Sequence, residues 1–415
     1  MTAARTPAAP DNANNTPAIG NENAVPLPRV LRRILALDDF EEAGRRHIPR
    51  PLFSYVSGGV EDNESMRDNR AAFREYAFVP RVLVGVAQRS QATTLLGHTY
   101  ASPFGIAPMG IAAMTAYRGD LVLARGAAHA NIPMVLSGSS LIPLEEVAAE
   151  AKSCWFQAYL PGDVARITGL VDRVARAGFE TLMLTVDTPA TPNREHNTRA
   201  GFTSPLRPSF RLAWDGLVRP RWLLGTFGRT LVRHGMPHFE NAYATRGVAI
   251  LSNAVARDFS ERGHLDWKHF ELVRQMWRGK IVMKGILDKE DARIARESGV
   301  DAIIVSNHGG RQLDGAVAPM RVLPGIVAAC KDIPVMMDGG IRRGTDVLKA
   351  MALGAAFVFV GRPFNYAAAI AGEAGVRHAI NLLAAEIDRD MAMLGINRLD
   401  ELTPSYLLHL SRGSG

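Results

Sequence analysis

Short apolar runs rich in β-branched residues recur through the chain, and most are followed by a stretch with helical spacing. In order they are Phe104–Pro108, Pro133–Ser137, Cys154–Leu160, Thr181–Asp187, Lys280–Gly285, Ala302–Asn307, Ile333–Asp338 and Ala356–Gly361. Each has the length of a strand and is apolar nearly throughout, the pattern of strands covered on both faces. Amphipathic segments such as Pro143–Lys152, Arg166–Ala177, Lys289–Ser298 and Thr345–Leu353 lie between them. Eight such alternations predict an α/β fold, a closed parallel (β/α)8 or TIM barrel. A doubly wound sheet competes, but no G-x-G-x-x-G follows a strand to support it.

About ninety residues separate the fourth run from the fifth, far more than one helix needs. The pattern therefore predicts a long insertion after strand four, about 195–262, at the rim where barrel insertions serve as lids or docking surfaces. Leu37–Ala77 reads as a helical N-terminal cap and Glu373–Leu394 as the closing helix. The whole of 31–412 is expected to form one barrel domain. The first thirty residues, rich in Ala, Pro, Asn and Thr, are expected to be a disordered tail. They hold no apolar h-region, so no secretory signal is expected.

Composition narrows the class. Of 415 residues, 47% are hydrophobic and 21% charged, which suits a large buried core. No apolar run reaches the roughly 18 residues of a membrane span. The longest, Ala350 to Val360, reads as a helix end followed by a buried strand. Two cysteines, Cys154 and Cys330, cannot build a disulfide framework or a cysteine-rich metal site, and no metal is expected. They suggest a reducing, cytoplasmic compartment. The net charge is +7, and 205–237 alone, with six arginines against Asp215, supplies +5 of it. So local an excess argues against nucleic-acid binding and for one basic surface.

In barrel enzymes the polar residues at the C-terminal strand ends are the catalytic candidates. Here those ends carry Gln157 and Tyr159, Thr185 and Asp187, Lys284, then Ser306, Asn307 and His308, Asp338 with Gly339-Gly340, and Gly361-Arg362. Any one could be a satisfied polar group; a full rim is hard to explain as packing. The sharpest segment is Ser306-Asn-His-Gly-Gly-Arg-Gln-Leu-Asp314. It sets a histidine, the natural proton acceptor near neutral pH, three residues before Arg311, whose planar fork matches a carboxylate. A base beside a carboxylate anchor is what a 2-hydroxy acid requires. Asp338-Gly-Gly-Ile-Arg-Arg-Gly and Gly361-Arg-Pro follow strands seven and eight, where barrels often hold a phosphate.

These residues resemble the FMN-dependent 2-hydroxy acid oxidases and dehydrogenases, over nearly all of the chain from about Leu37 to Leu408. Besides the nine-residue segment, Tyr55-Val-Ser-Gly-Gly, Phe156-Gln-Ala-Tyr, Leu184-Thr-Val-Asp-Thr-Pro, Val282-Met-Lys-Gly and the Asp338 turn carry the likeness. The resemblance implies FMN as cofactor and oxidation of an L-2-hydroxy acid of L-lactate or mandelate type, with L-lactate slightly ahead. It makes His308 the base and Asp187 its partner. Arg194, Arg311 and the Tyr55 hydroxyl would hold the substrate carboxylate, and Tyr159 would contact its hydroxyl. Lys284 would stabilise charge on the reduced flavin. Pro108, Met109, Gly110, Ser137, Gln157, Thr185 and Ser306 would border the flavin. Asp338 and Gly339 would also contact the cofactor, and Gly340, Arg342, Gly361 and Arg362 would take its phosphate. Whether His308 takes the Cα or the hydroxyl proton stays open, as does the electron acceptor: quinone, cytochrome or oxygen. A homotetramer is also implied.

Two departures bear on acceptor and substrate. Pro108-Met109-Gly110 stands where glycolate oxidases tend to have Pro-Thr-Ala, and Gly110 resembles the dehydrogenases. Ser137-Gly-Ser lacks the tryptophan of glycolate oxidases, which opens room for another side chain. Within the insertion, Pro220-Arg-Trp and Arg233-His-Gly-Met-Pro-His resemble stretches of bacterial lactate and mandelate dehydrogenases. There Trp214, Trp222, Leu223, Leu224 and Phe227 interleave with arginines, as suits either peripheral contact with the inner face of an anionic membrane or a solvated lid. Two rivals are weighed against this reading: an FMN barrel of other chemistry and a barrel that only binds.

Overall fold

The computed structural model describes residues 27–203, 207, 209–252 and 262–410. The tail at 1–26, on which most of the expected disorder falls, lies outside the described residues. Among the described residues there are twelve strands: β1 (Tyr76–Phe78), β2 (Thr93–Leu95), β3 (His98–Tyr100), β4 (Phe104–Ile106), β5 (Val135–Ser137), β6 (Trp155–Ala158), β7 (Thr181–Thr185), β8 (Lys280–Ile286), β9 (Ala302–Val305), β10 (Val335–Asp338), β11 (Phe357–Val360) and β12 (Leu407–His409). Each of the eight sequence runs coincides with one of β4 to β11, β8 running one residue beyond its run to Ile286.

Those eight pair in parallel in the order β4-β11-β10-β9-β8-β7-β6-β5. The remaining seam closes through a bridge between Ile106 and Met134, with the Ile106 N–H donating to Pro133 O at 2.9 Å. The protein is thus a (β/α)8 barrel. Helices pack outside it against a large second core, in which alternate strand residues such as Ile281, Ile303, Met337 and Val358 are buried.

The other residues of each strand point inward. Val135, Trp155, Met183, Val282, Ile304, Met336 and Phe359 fill the barrel as one cluster, with Ala302 and Phe357 a layer below some of them. The β2–β3 hairpin plugs the N-terminal mouth, adding Leu95 and Tyr100, whose ring lies 5.7 Å from that of Phe357. Bulky residues in layers make the interior a packed core and leave the C-terminal rim to carry chemistry.

Three helices, α1 (Asp39–His47), α2 (Arg50–Ser57) and α3 (Glu64–Ala71), form the expected N-terminal cap. After β11 a helical run extends over Arg362–Leu394, breaking at Ala371 and Gly372, where Gly372 has φ +58°. The closing helix predicted from Glu373 is its second half. Strand β1 pairs antiparallel with β12, tying the start of the barrel domain to its end.

Candidate active site

The barrel's own alternation places the site. Two positions beyond each interior apolar residue stands a polar residue or glycine on the same face: Val135 leads to Ser137, Trp155 to Gln157, Met183 to Thr185 and Val282 to Lys284. Likewise Ile304 leads to Ser306, Met336 to Asp338 and Phe359 to Gly361. The C-terminal end of the barrel interior is therefore a ring of polar groups resting on an apolar plug. Above it opens a cavity of about 660 Å³.

Lys284 is the charge at the centre of that ring. It is 3% exposed, donates to Ser306 Oγ at 2.9 Å and lies 3.2 Å from the Asp338 carboxylate. Burial opposes its charge, but Asp338 and Asp187 outweigh burial and hold the ammonium above its ordinary pKa. Gln157 accepts hydrogen bonds from Ser137 Oγ (3.2 Å) and the Gly138 N–H (3.3 Å). Its Nε2, Thr185 Oγ1 and Asp338 Oδ1 are buried without a protein partner. Buried polar atoms rarely stay unpaired, so this ring is shaped for a polar group from outside the chain.

The segment from Ser306 to Asp314 divides its work residue by residue. Ser306 Oγ accepts the His308 N–H at 3.0 Å. Asn307 exchanges side-chain hydrogen bonds with Asn69 of α3 at 2.7 and 2.8 Å, fixing the loop to the cap. Gly310 has φ +73°, and a Cβ there would press on the backbone of Met66, so only glycine lets loop and cap meet this closely. Asp314 receives the Ser65 N–H at 2.9 Å. His308 itself sits in the left-handed region at φ +58°, a strained placement of the kind concentrated at functional sites.

That strain aims the imidazole. Its Nδ1 lies 2.9 Å from Asp187 Oδ1, leaving Nε2 toward the cavity, 3.5 Å from the Tyr159 hydroxyl. Burial lowers the His308 pKa, with Asp187 opposing and Lys284 reinforcing the shift. Burial raises that of Asp187, but His308 and Lys284 more than reverse it. The pair is therefore a carboxylate beside a neutral imidazole near neutral pH. Burial pushes the Tyr159 phenol up to about 12 against the pull of Lys284, so it stays a donor.

Two guanidinium groups border the same cavity. Arg194 donates to the Arg311 carbonyl (3.1 and 3.2 Å) and to Gln312 Oε1 (2.7 Å). Gln312 in turn donates to Asp187 O at 3.1 Å, linking the arginine to the base. Arg311 donates to Gly58 O at 2.7 Å, and its Cζ lies 5.1 Å from the Tyr55 ring centre. Burial, then the charge of Arg311, pulls Arg194 down to about 10, so it remains a cation. Two cations held this close make a binding place for an anion.

The glycine turns after β10 and β11 also reach the cavity, with Gly339, Gly340, Gly361, Arg342 and Arg362 in its wall. Arg362 donates to Val56 O (3.0 Å), Gly58 O (3.1 Å) and Gly309 O (3.0 Å), so the α2 end carries this arginine and Arg311 together. Burial and the charge of Arg311 lower it to about 9. Arg342 is buried 3.2 Å from Asp38. Pro108, Met109 and Gly110 line the wall, and Tyr55 faces it from α2.

The structure thus brings all the site residues named from sequence to one barrel end; Ser137, Gln157 and Ser306 lie buried in its floor, and Asp187 stands behind His308, rather than in the cavity wall. Sequence reasoning missed Arg262, which lines the cavity from the far end of the insertion, and the imidazole of His196, crowded against Gly58 beside the arginines. No strand end marked either. It also misplaced Trp222: this residue is buried, donates to Met114 O at 2.8 Å and stacks on Phe227, because it anchors the insertion to the barrel. Trp214 and Leu224 are exposed, together with Phe210, Leu217 and Val232. Residues 205, 206 and 208 of the basic stretch lie outside the described residues.

Comparison with known proteins agrees with this geometry. The family model for FMN-dependent dehydrogenases matches residues 44–409. The chain is 36% identical to (S)-mandelate dehydrogenase of Pseudomonas putida over 380 residues, 91% of this chain and 95% of that one. It is 37% identical to L-lactate dehydrogenase of Yersinia pestis over 386 residues, 92% of this chain and all of that one. Its fold superposes on the crystal structure of a monotopic membrane protein, (S)-mandelate dehydrogenase, with a TM-score of 0.84 at 35% identity, covering 91% of this chain and all of the other.

Proposed function

The chain belongs to the FMN-dependent dehydrogenase family, and on that premise we propose that it oxidises an L-2-hydroxy acid of mandelate or L-lactate type to the 2-keto acid. The observation that carries this reading is that His308, backed by Asp187, opens onto the same cavity as Arg194 and Arg311. A base and a carboxylate clamp on one cavity answer the two ends of a 2-hydroxy acid.

FMN, when bound, supplies the two-electron acceptor. The chain's residues fit it: the unpartnered Gln157 Nε2 and Thr185 Oγ1 and the Lys284 ammonium suit a polar ring edge, and the two glycine turns with Arg342 and Arg362 suit its phosphate. Arg194 and Arg311 bind the substrate carboxylate, and Tyr159 donates to the α-oxygen. His308 Nε2 receives the substrate proton, and the Asp187 carboxylate stabilises the imidazolium so formed. Closing this cavity against water strengthens each of these interactions.

The wall around the arginines includes Met109, Ile111, Phe202 and Phe239, with Phe202 packed 4.8 Å from the Tyr55 ring. That apolar surface favours a phenyl over a methyl substituent, so a mandelate-type acid moves ahead of the L-lactate favoured by sequence. Exposed Phe210, Trp214, Leu217, Leu224 and Val232 stand among Arg207, Arg211, Arg221 and Arg233, which supports peripheral attachment to an anionic membrane and a lipid-borne quinone as acceptor. Among the described residues no helix is long and apolar enough to cross a membrane.

His308→Ala tests the assignment. It is expected to abolish turnover while FMN stays bound; substantial residual turnover would remove His308 from the role of base. For the membrane, Trp214→Ser with Leu224→Ser should lower sedimentation with phosphatidylglycerol vesicles, and unchanged sedimentation would contradict attachment through this surface.

A further inference from the structure

The cavity wall carries another guanidinium that the mechanism above does not use. Arg262 enters from the end of the insertion, and its Cζ lies 4.6 Å from the centre of the Tyr159 ring. The Tyr159 ring is near-parallel to that of His308 (21°, centres 6.5 Å apart), with its hydroxyl 3.5 Å from Nε2. Tyr159 is thus a phenol with a cation at its π face and the base at its hydroxyl.

A guanidinium over an aromatic ring is held by the ring's negative face, most strongly where water is excluded. The attraction acts on the phenol in two ways. It fixes the ring plane, and hence the direction of the O–H. It also draws density from the ring, which polarises the O–H and makes it a better donor. We propose that Arg262 is a positioning residue for the reaction, acting through Tyr159: its cation orients the phenol beside His308 and strengthens the hydrogen bond given to the substrate's α-oxygen. Burial lowers the Arg262 pKa, while Tyr159 and then Tyr243 act to raise it, in keeping with a cation held against phenols. The inference rests on the proposed function, since it needs Tyr159 to meet the α-oxygen.

The test is a double-mutant cycle on the FMN-loaded enzyme with Arg262→Met, Arg262→Lys, Tyr159→Phe and Arg262→Met/Tyr159→Phe. Two quantities are read: the anaerobic rate of flavin reduction by (S)-mandelate, and the calorimetric affinity for 2-hydroxy-2-phenylpropanoate, which has no Cα hydrogen to lose. Arg262→Met should reduce both by about threefold to thirtyfold, the span from an exposed to a desolvated cation–π contact. Arg262→Lys should retain most of each. In the Tyr159→Phe background, Arg262→Met should change either quantity by less than about twofold. An equal loss in both backgrounds would overturn the inference, as would no loss in either. Wild-type flavin that no 2-hydroxy acid bleaches would instead overturn the proposed function itself, and this inference with it.

Discussion

The Asp187 carboxylate lies 2.9 Å from Nδ1 of His308 and thereby decides which ring nitrogen faces the cavity. With Nδ1–H committed to Asp187, Nε2 is left as the acceptor beside Tyr159, and no rotation of the ring is needed to receive a proton. The same contact shapes the pH response. Burial holds His308 below the ordinary imidazole pKa, so the free enzyme keeps its base unprotonated down to below pH 6.5. The acid limb of kcat/KM should therefore fall below pH 6.5; a limb centred above pH 7 would contradict the assignment.

Asp187→Asn removes the carboxylate that raises the His308 pKa and stabilises the imidazolium. The acid limb should then move to still lower pH. The rate should drop about 10²- to 10⁴-fold, the range for disabling a general base or its orienting partner. A pH–rate profile of the variant checks both; a limb displaced upward would show that Asp187 does not act on His308.

Lys284 and Asp338 form a buried pair 3.2 Å apart. Lys284→Met leaves the Asp338 charge without its partner and should destabilise the protein by about 3–5 kcal/mol. Adding Asp338→Asn should restore part of that stability, while flavin reduction by substrate stays slow. Recovery of the rate in the double variant would mean that the lysine serves folding alone.

Gly340 has φ +81°, and a Cβ there would overlap the carbonyl oxygen of Asn69. Gly340→Ala should push α3 away from the turn after β10 and release FMN, which an absorbance spectrum of the purified protein reads directly. Full FMN occupancy in that variant would show that the turn does not need this approach.

His196 has both ring nitrogens buried without a protein partner, and burial with the charges of Arg311, Arg194, Arg362 and Arg199 lowers its pKa to about 4. In the unfolded chain it takes up a proton near pH 6.5. Between those values the unfolded state binds more protons, so stability is lost as pH falls from 6.5 toward 4 and the loss levels off below. His196→Gln should flatten the decline of Tm across that window. Parallel Tm profiles for the two proteins would place the acid sensitivity elsewhere.

The barrel was legible because its strands are buried on both faces and read as eight apolar runs, and because the rim residues continue the inward alternation of those runs. Ser306 to Asp314 declared its chemistry through residue types alone. The β2–β3 hairpin was not legible: its strands have three residues each, and Leu95 and Tyr100 acquire meaning only inside the barrel mouth. Nor was the pairing of β1 with β12, which depends on a contact across most of the chain. Trp222 was misplaced because an amphipathic, arginine-rich segment has the same composition whether a given aromatic faces lipid or the barrel. Arg262 lay beyond reach for a similar reason: only the folded insertion brings it over Tyr159.

The central claim is that this cavity oxidises 2-hydroxy acids, and anaerobic titration of the bound flavin tests it most directly. L-lactate, D-lactate and (S)-mandelate are added in turn and the flavin absorbance is followed. Bleaching by (S)-mandelate, with L-lactate weaker and D-lactate inert, is the expected result. Flavin left oxidised by every 2-hydroxy acid would leave the barrel intact and contradict the function assigned to it.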